Sequence, residues 1–87
     1  MDIKLISDKI IEFDKKAGWD KTSFSQLMQF IQEEINNLKE TNPADIDRIN
    51  HLLIDIFVLL MQISYRYNTN IETEFKKWLN EQEQNLK

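Results

Sequence analysis

Hydrophobic residues recur every three or four positions along most of the chain, the spacing that places them on one face of an α-helix. Four such segments can be distinguished, with predicted bounds at residues 3–16, 23–41, 43–67 and 69 onward. In the fourth segment the predicted inward face is Ile71, Phe75, Trp78 and Leu79. Residues 80–87 are polar, and we expect them to fray. The pattern predicts an all-α fold, built as a four-helix bundle in one domain over residues 1–87.

Short signals mark the ends of these segments. Gly18 is placed to end the first helix. Two pairs have the spacing of a capping box, which starts a helix: Ser23 with Gln26, and Thr69 with Glu72. Asn42 followed by Pro43 predicts the start of the third helix, with Asn42 as its N-cap and Pro43 as its first residue.

The third segment is apolar on every side. Nine of the ten residues 52–61 are hydrophobic, and only Asp55 interrupts them. A helix that is apolar all round is normally buried. A chain of this length, however, buries on folding only roughly 60–65% of the surface that its unfolded form exposes. The other three helices would leave part of this one uncovered. We therefore expect further copies of the chain to cover it, in a homodimer or homotetramer.

Charge and composition narrow the class of function. The chain has 15 acidic and 11 basic residues, a net charge of −4, which does not suit binding to nucleic-acid polymers. With no cysteine and one histidine, His51, it can form neither a thiolate site nor a multi-histidine zinc site. Its longest near-apolar run is too short for a membrane span, and residues 1–16 lack the apolar core of a signal peptide. These features predict a cytoplasmic protein with no membrane partner.

The third helix also carries a narrow polar stripe. Helical spacing places its members on one side: Arg48, His51, Asp55, Gln62 and Arg66. The stripe is either the solvent-facing side of the helix or the lining of a polar cleft between helices. The cleft is favoured slightly, because Arg48 and His51 lie within reach of Asp55, and a buried carboxylate is costly unless a cation or donor satisfies it.

The second helix also carries an acidic residue next to its apolar stripe, as the third helix carries Asp55. Glu34 lies on the flank of the apolar stripe, with Glu33 and Asn37 further towards the polar side. Glu34 is either an ordinary surface residue or faces Asp55 across a helix pair. Two facing carboxylates would suit Mg²⁺, which prefers carboxylates and water. Trp19, in the loop after the first helix, is likewise either a hydrophobic plug or a platform for a ligand.

Three parts of the sequence resemble motifs of the MazG-like all-α nucleoside triphosphate pyrophosphohydrolases, over about residues 6–80. The Gly18-Trp19 loop leads into residues 27–38, LMQFIQEEINNL, which look like the family's Glu-Glu-x-x-Glu-Leu segment. Residues 52–60, LLIDIFVLL, look like its Glu-x-x-Asp segment followed by an apolar run. Lys76, Trp78 and Asn80 are similar to its terminal Lys/Asn motif.

The resemblance implies a function and a set of site residues. Members of that family bind Mg²⁺ through acids of their two central helices and cleave nucleoside triphosphates between the α- and β-phosphates, usually as dimers or tetramers. By resemblance, Glu34 and Asp55 would be metal ligands, with Glu33 nearby. Lys76 and Asn80 would contact phosphate, and Trp19 would neighbour the base.

The sequence also departs from the family's pattern. The second Glu of the first motif is Asn37 here, the first Glu of the second motif falls at Leu52, and the last basic position falls at Glu83. Part of the acidic ligand set is therefore missing, while four residues can hold phosphate directly through hydrogen bonds: Asn37, Arg48, His51 and Arg66. We expect a protein that binds a nucleotide or nucleotide-derived ligand and hydrolyses it weakly or not at all. An active Mg²⁺-dependent pyrophosphohydrolase and a ligand-free helical interaction module remain the alternatives.

Overall fold

The computed structural model of the protein describes residues 2–86, which form four α-helices and no β-strand. The helices are α1 Ile3–Ala17, α2 Phe24–Glu40, α3 Ile46–Arg66 and α4 Ile71–Asn85, with a 3-10 helix, Trp19–Lys21, between α1 and α2. The all-α prediction is confirmed. Within the described residues, no helix combines the length and the apolar character that crossing a membrane requires.

The end of α1 and the start of α2 follow the signals in the sequence. α1 ends at Gly18, whose φ of 75° is a left-handed conformation that glycine adopts at low cost. The Ser23 hydroxyl accepts a hydrogen bond from the Gln26 backbone N–H at 3.1 Å, and the Gln26 side chain accepts one from the Ser23 N–H at 3.2 Å. The capping box predicted at this position is confirmed.

The predicted start of α3 is wrong, because the helix begins at Ile46 rather than Pro43. Asn42 Oδ1 accepts a hydrogen bond from the Ala44 N–H at 2.9 Å, which closes a turn around Pro43. Asp45 is the N-cap, and its carboxylate accepts a hydrogen bond from the Arg48 N–H at 3.1 Å. Asn and Asp serve equally well as helix caps, so the local sequence does not decide between the two positions.

The capping box predicted for α4 is also wrong. Asn70 caps this helix by accepting a hydrogen bond from the Thr73 N–H at 3.1 Å. Thr69 turns back towards α3 instead, where its hydroxyl lies 2.6 Å from the hydroxyl of Ser64. α4 then continues without a break to Asn85, so the polar composition of residues 80–85 does not stop the helix.

The α2–α3 pair is the centre of the molecule. α1 packs against α3, and α4 packs mainly on α1. Among the described residues, the buried hydrophobic side chains all belong to the central pair: Leu27 and Ile31 on α2, and Leu52 and Met61 on α3. Leu52 is the most completely buried of them, at 1% exposed. Packing between α2 and α3 therefore fixes how the polar residues of these two helices face each other.

The bundle is open, and part of α3 is bare. The accessible surface is 6936 Å², against about 5,400 Å² for a typical folded monomer of this mass. The radius of gyration is 15.1 Å, against about 12 Å for a compact domain of this length. Leu53, Ile54 and Leu60 of α3 are 49%, 61% and 51% exposed. The expectation that one chain cannot cover this helix is therefore confirmed.

The face of α4 that was predicted to point inward is not buried. Its four members are between 36% and 53% exposed: Ile71, Phe75, Trp78 and Leu79. Phe75 and Trp78 stack on each other with ring centroids 5.9 Å apart. Because α4 packs mainly on α1 at the edge of the bundle, this apolar face lies outside the α2–α3 core.

Candidate functional site

A cleft of about 680 Å³ lies between α1, α2 and α3. This volume is in the range of small-molecule sites, which are usually apolar clefts with a few polar groups. The walls here are mostly apolar and include three aromatic rings, those of Phe13, Trp19 and Phe30. The acidic groups in the lining are Asp14, Glu34 and Asp55. The cleft thus combines an apolar interior with carboxyl groups from three different helices.

Glu34 of α2 faces Asp55 of α3 across the helix pair. Their carboxyl groups lie close enough to interact by a hydrogen bond and by charge. The pKa of Glu34 is raised above its usual value, first by burial, then by the hydrogen bond to Asp55 and the negative charge of Asp55. Arg48 and His51 partly offset this increase. The expectation that these two acids meet in one cleft is confirmed.

Asp55 lies at the mouth of the cleft and is not sealed inside it. His51 Nε2 is 3.3 Å from Asp55 Oδ2, one helical turn away, and the two side chains are 67% and 40% exposed. The Arg48 side chain is exposed on the same side of α3, close enough for its charge to act on Glu34. The predicted polar crevice is therefore a largely apolar cleft. Glu34 and Asp55 line it, and Arg48 and His51 lie beside them outside the lining.

At the opposite, buried end, Asp14 of α1 meets Gln62 of α3. Gln62 Nε2 donates a hydrogen bond to Asp14 Oδ1 at 2.7 Å. The two residues are only 6% and 5% exposed. Among residues 2–86, no group donates a hydrogen bond to the buried Gln62 Oε1. A buried polar atom without a partner is rare in folded proteins, and its surroundings need an explanation.

Asp14 is a site residue that the sequence analysis missed. It follows Ile10 by four positions, so it lies on the apolar face of α1 rather than on the polar one. Asp55 was recognised on α3 because it is an acid among apolar residues. Asp14 has the same position on α1, so the sequence could have identified it too. Its partner Gln62, 48 residues away, was placed in the polar stripe but not paired with it.

Trp19 forms one wall of the cleft and is 48% exposed. Its ring packs edge-on against Phe13, with centroids 5.2 Å apart. Arg66 donates hydrogen bonds to the backbone carbonyls of Trp19 at 3.3 Å and Asp20 at 3.2 Å. Arg66, predicted as a ligand contact, thus ties the 3-10 helix to α3, and it does not line the cleft. Trp19 thus packs on Phe13 and also lines the cleft, which does not decide between the two roles considered for it.

The remaining predicted site residues do not line the cleft. Glu33 is exposed and accepts a hydrogen bond from Gln29 Nε2 at 3.4 Å. Asn37 is exposed on α2 beyond Glu34. On α4, Lys76 pairs with Glu72 at 3.5 Å, and Asn80 is exposed. Because α4 contributes nothing to the cleft wall, its two predicted phosphate contacts lie away from Glu34 and Asp55.

The three proposed metal ligands are not all brought together. Of the three proposed ligands, Glu34 and Asp55 adjoin each other, and Glu33 lies outside the cleft. Nowhere in residues 2–86 do three or more His, Asp or Glu side chains form a group arranged to hold a metal ion. The carboxyl pair fits a single Mg²⁺ that takes its other ligands from water and a bound phosphate. It does not fit a site for several metal ions.

No protein-family model matches the sequence, and comparisons with curated proteins and with solved structures give no significant match. The fold and the cleft define the class of molecule, an open all-α bundle with an inter-helix cleft. Its function has to be inferred from the side chains that line the cleft.

Proposed function

We propose that this chain is a MazG-like helical protein that binds a nucleotide or nucleotide-derived ligand in the cleft, with weak or absent pyrophosphohydrolase activity. The observation that supports this most directly is the pairing of Glu34 with Asp55 at the mouth of an aromatic-walled cleft. A nucleotide is divided in the same way as the cleft. Its base is flat and largely apolar on its faces, and its phosphates are charged.

The mouth of the cleft supplies the chemistry that phosphates need. Glu34 and Asp55 would hold one Mg²⁺, which neutralises phosphate charge when bound. Arg48 and His51 stand on the same side of α3 and would donate charge-assisted hydrogen bonds to phosphate oxygens. Because all four side chains are partly or fully exposed, a ligand can reach them without displacing any part of the core.

Weak catalysis follows from the reduced set of acids. Leu52, where the resemblance expects an acidic ligand, is 1% exposed and serves as a core residue. Asn37 replaces the other expected acid and has no negative charge. With a single carboxyl pair, the site can position a phosphate but has few groups left to activate water.

Titration calorimetry against ATP, GTP, CTP and UTP, with and without Mg²⁺, tests the proposal. We expect binding that strengthens with Mg²⁺, and release of pyrophosphate far slower than the roughly 1–1,000 s⁻¹ of ordinary enzymes. Glu34→Gln should weaken binding and abolish its dependence on Mg²⁺. The matched control is Glu33→Gln, which removes the same charge one residue away on the exposed side of α2.

Two outcomes of this experiment would contradict the proposal. Mg²⁺-dependent turnover at ordinary enzyme rates would favour the alternative of an active pyrophosphohydrolase. Absence of binding to any of the four nucleotides would refute nucleotide binding itself.

We also propose that the protein assembles as a homodimer or homotetramer through the bare face of α3. Ile46, Leu53 and Leu60 are spaced by seven residues, which is the repeat of helices that pack along their length, and are 58%, 49% and 51% exposed. The surface exceeds that of a typical monomer by about 1,500 Å² (6936 less about 5,400). A standard interface takes about 800 Å² from each partner, and the excess over the whole molecule is larger than this.

Light scattering coupled to size-exclusion chromatography tests this assembly. Leu53→Glu should shift the protein to the monomer, whereas Phe75→Glu on α4, at the same 49% exposed fraction, should leave the assembly intact. A wild-type protein that is monomeric at micromolar concentration would refute the homo-oligomer. The bare face would then favour the second candidate function, a non-catalytic helical module that binds another protein.

A further inference from the structure

The apolar face of α4 is a surface that the proposed function does not use. Four residues between 36% and 53% exposed form it: Ile71, Phe75, Trp78 and Leu79. Their line continues past Gln82 to Leu86, which is 87% exposed. At about 1.5 Å per residue, it extends over about 22 Å, or roughly four helical turns. Phe75 and Trp78 form a stacked pair within it, and aromatic side chains are enriched where proteins bind each other.

Acidic side chains border this face on both sides. α4 carries four glutamates and two lysines, so its net charge is −2. Helical spacing places the glutamates in pairs along the two borders, Glu72 with Glu83 on one and Glu74 with Glu81 on the other. An apolar surface between two rows of negative charge discriminates among partners by their charge as well as by their shape.

The two lysines of α4 pair with acids of its first half only. Lys76 Nζ lies 3.5 Å from Glu72 Oε1, and Lys77 Nζ lies 3.3 Å from Glu74 Oε1. Within residues 2–86, neither glutamate of the second half, Glu81 or Glu83, forms an ion pair. The last turn of the helix carries no basic residue, and the end of a helix is itself partly negative. The negative charge of α4 is therefore concentrated beside the second half of its apolar face.

We propose that the apolar face of α4 is a docking surface for a basic amphipathic helix of another protein. Such a helix would lay its apolar side along this face, with lysines or arginines on its flanks beside the glutamates of the two borders. A second copy of α4 does not fit, because two such faces would bring like charges together. An anionic membrane surface does not fit either, because it attracts helices whose polar side is basic. The inference is independent of the proposed function, since α4 contributes nothing to the cleft wall.

Two synthetic helices of opposite charge provide the test. One has leucines at helical spacing with lysines between them, and the other has glutamate in place of every lysine. Each has about 20 residues, so that it is long enough to form a helix. Titration calorimetry with the full chain at low salt should show the lysine peptide binding at least about tenfold more tightly than the glutamate peptide. This preference should decrease as salt is added, because ions screen exposed charges.

Substitutions on two helices locate the binding surface. Trp78→Ala and Phe75→Ala each remove an aromatic contact and should weaken binding of the lysine peptide at least about fivefold. Leu53→Ala, on the bare face of α3 and at the same 49% exposed fraction as Phe75, should leave binding unchanged. Glu81→Lys should also weaken it, whereas Glu40→Lys, the same change at an exposed position of α2, should have little effect. Circular dichroism establishes that each variant folds.

Amide chemical shifts of the full chain show where the lysine peptide lies, and we expect the changes along residues 71–86. Equal binding of the two peptides would overturn the proposal. The same affinity in the wild type and in a folded Trp78→Ala would also overturn it, as would shift changes confined to the bare face of α3. Binding to phosphatidylglycerol vesicles that Trp78→Ala abolishes, without binding of the lysine peptide, would assign the face to a membrane instead.

Discussion

Both ends of the cleft contain acidic side chains, but the groups that interact with these side chains differ between the two ends. At the buried end, Asp14 is 6% exposed and accepts a hydrogen bond from Gln62. At the mouth, Asp55 is 40% exposed and interacts with a second acid, Glu34, and with His51. The first arrangement depends on the geometry of a single neutral donor. The second depends on charge, and so on pH and on cations.

This difference shows what each end can recognise. In water-exposed surroundings, charges are screened and their interactions are weak, so a pair such as Glu34 and Asp55 responds to ions in solution. In a buried site, each unpaired donor or acceptor carries its full desolvation cost, so a small change in ligand chemistry has a large effect. The mouth therefore responds to the ions around it, and the buried end responds to the hydrogen-bonding groups placed next to it.

Removal of Asp14 should have the largest effect on stability. Asp14→Ala leaves the buried Gln62 amide without its partner, and we expect it to lower the free energy of unfolding by about 1–3 kcal/mol. Urea denaturation followed by circular dichroism measures this change. Asp8→Ala, an exposed acid on the same helix, should change stability by no more than about 0.5 kcal/mol.

A double variant makes this comparison sharper. Replacing Asp14 and Gln62 together by Leu removes both polar groups, so most of the stability lost in Asp14→Ala should return. If Asp14→Ala and Asp8→Ala are equally stable, the buried pair does not differ from a surface acid, and the contrast between the two ends is refuted.

A smaller effect is expected at the mouth, and it depends on pH. Folding raises the pKa of Glu34, mainly through burial and then through Asp55, so the folded state binds the proton more tightly than the unfolded state. The resulting stabilisation is fully present below the unfolded pKa of about 4.5 and is lost as pH rises through the raised value. Glu34→Gln should remove this decline and stabilise the protein at pH 7, by less than about 1 kcal/mol.

Thermal melts between pH 4 and pH 8 measure this dependence, with Glu33→Gln as the control because it removes a charge that does not face Asp55. We expect Glu33→Gln to follow the wild-type profile. A Glu34→Gln profile with the same slope as the wild type would show that the two carboxyl groups do not interact.

Helical periodicity predicted much of the fold and one end of the site. The apolar stripes gave four helices, and the capping box at Ser23 and Gln26 placed the start of α2. The same spacing rule marked Glu34 and Asp55 as acids on the flanks of apolar faces. These predictions succeeded because they depend on contacts within a single helix, which the residues three or four positions apart determine.

Only the tertiary structure decided which helices share the cleft. It brought Asp14 to Gln62 over 48 positions, used Arg66 to hold the 3-10 helix, and kept Lys76 and Asn80 of α4 away from the acids. Spacing along a helix gives the direction of a side chain about that helix alone, whereas the position of α4 beside α1 depends on how whole faces pack. The sequence by itself determined the helices and their polar faces, and packing between them determined which polar faces meet.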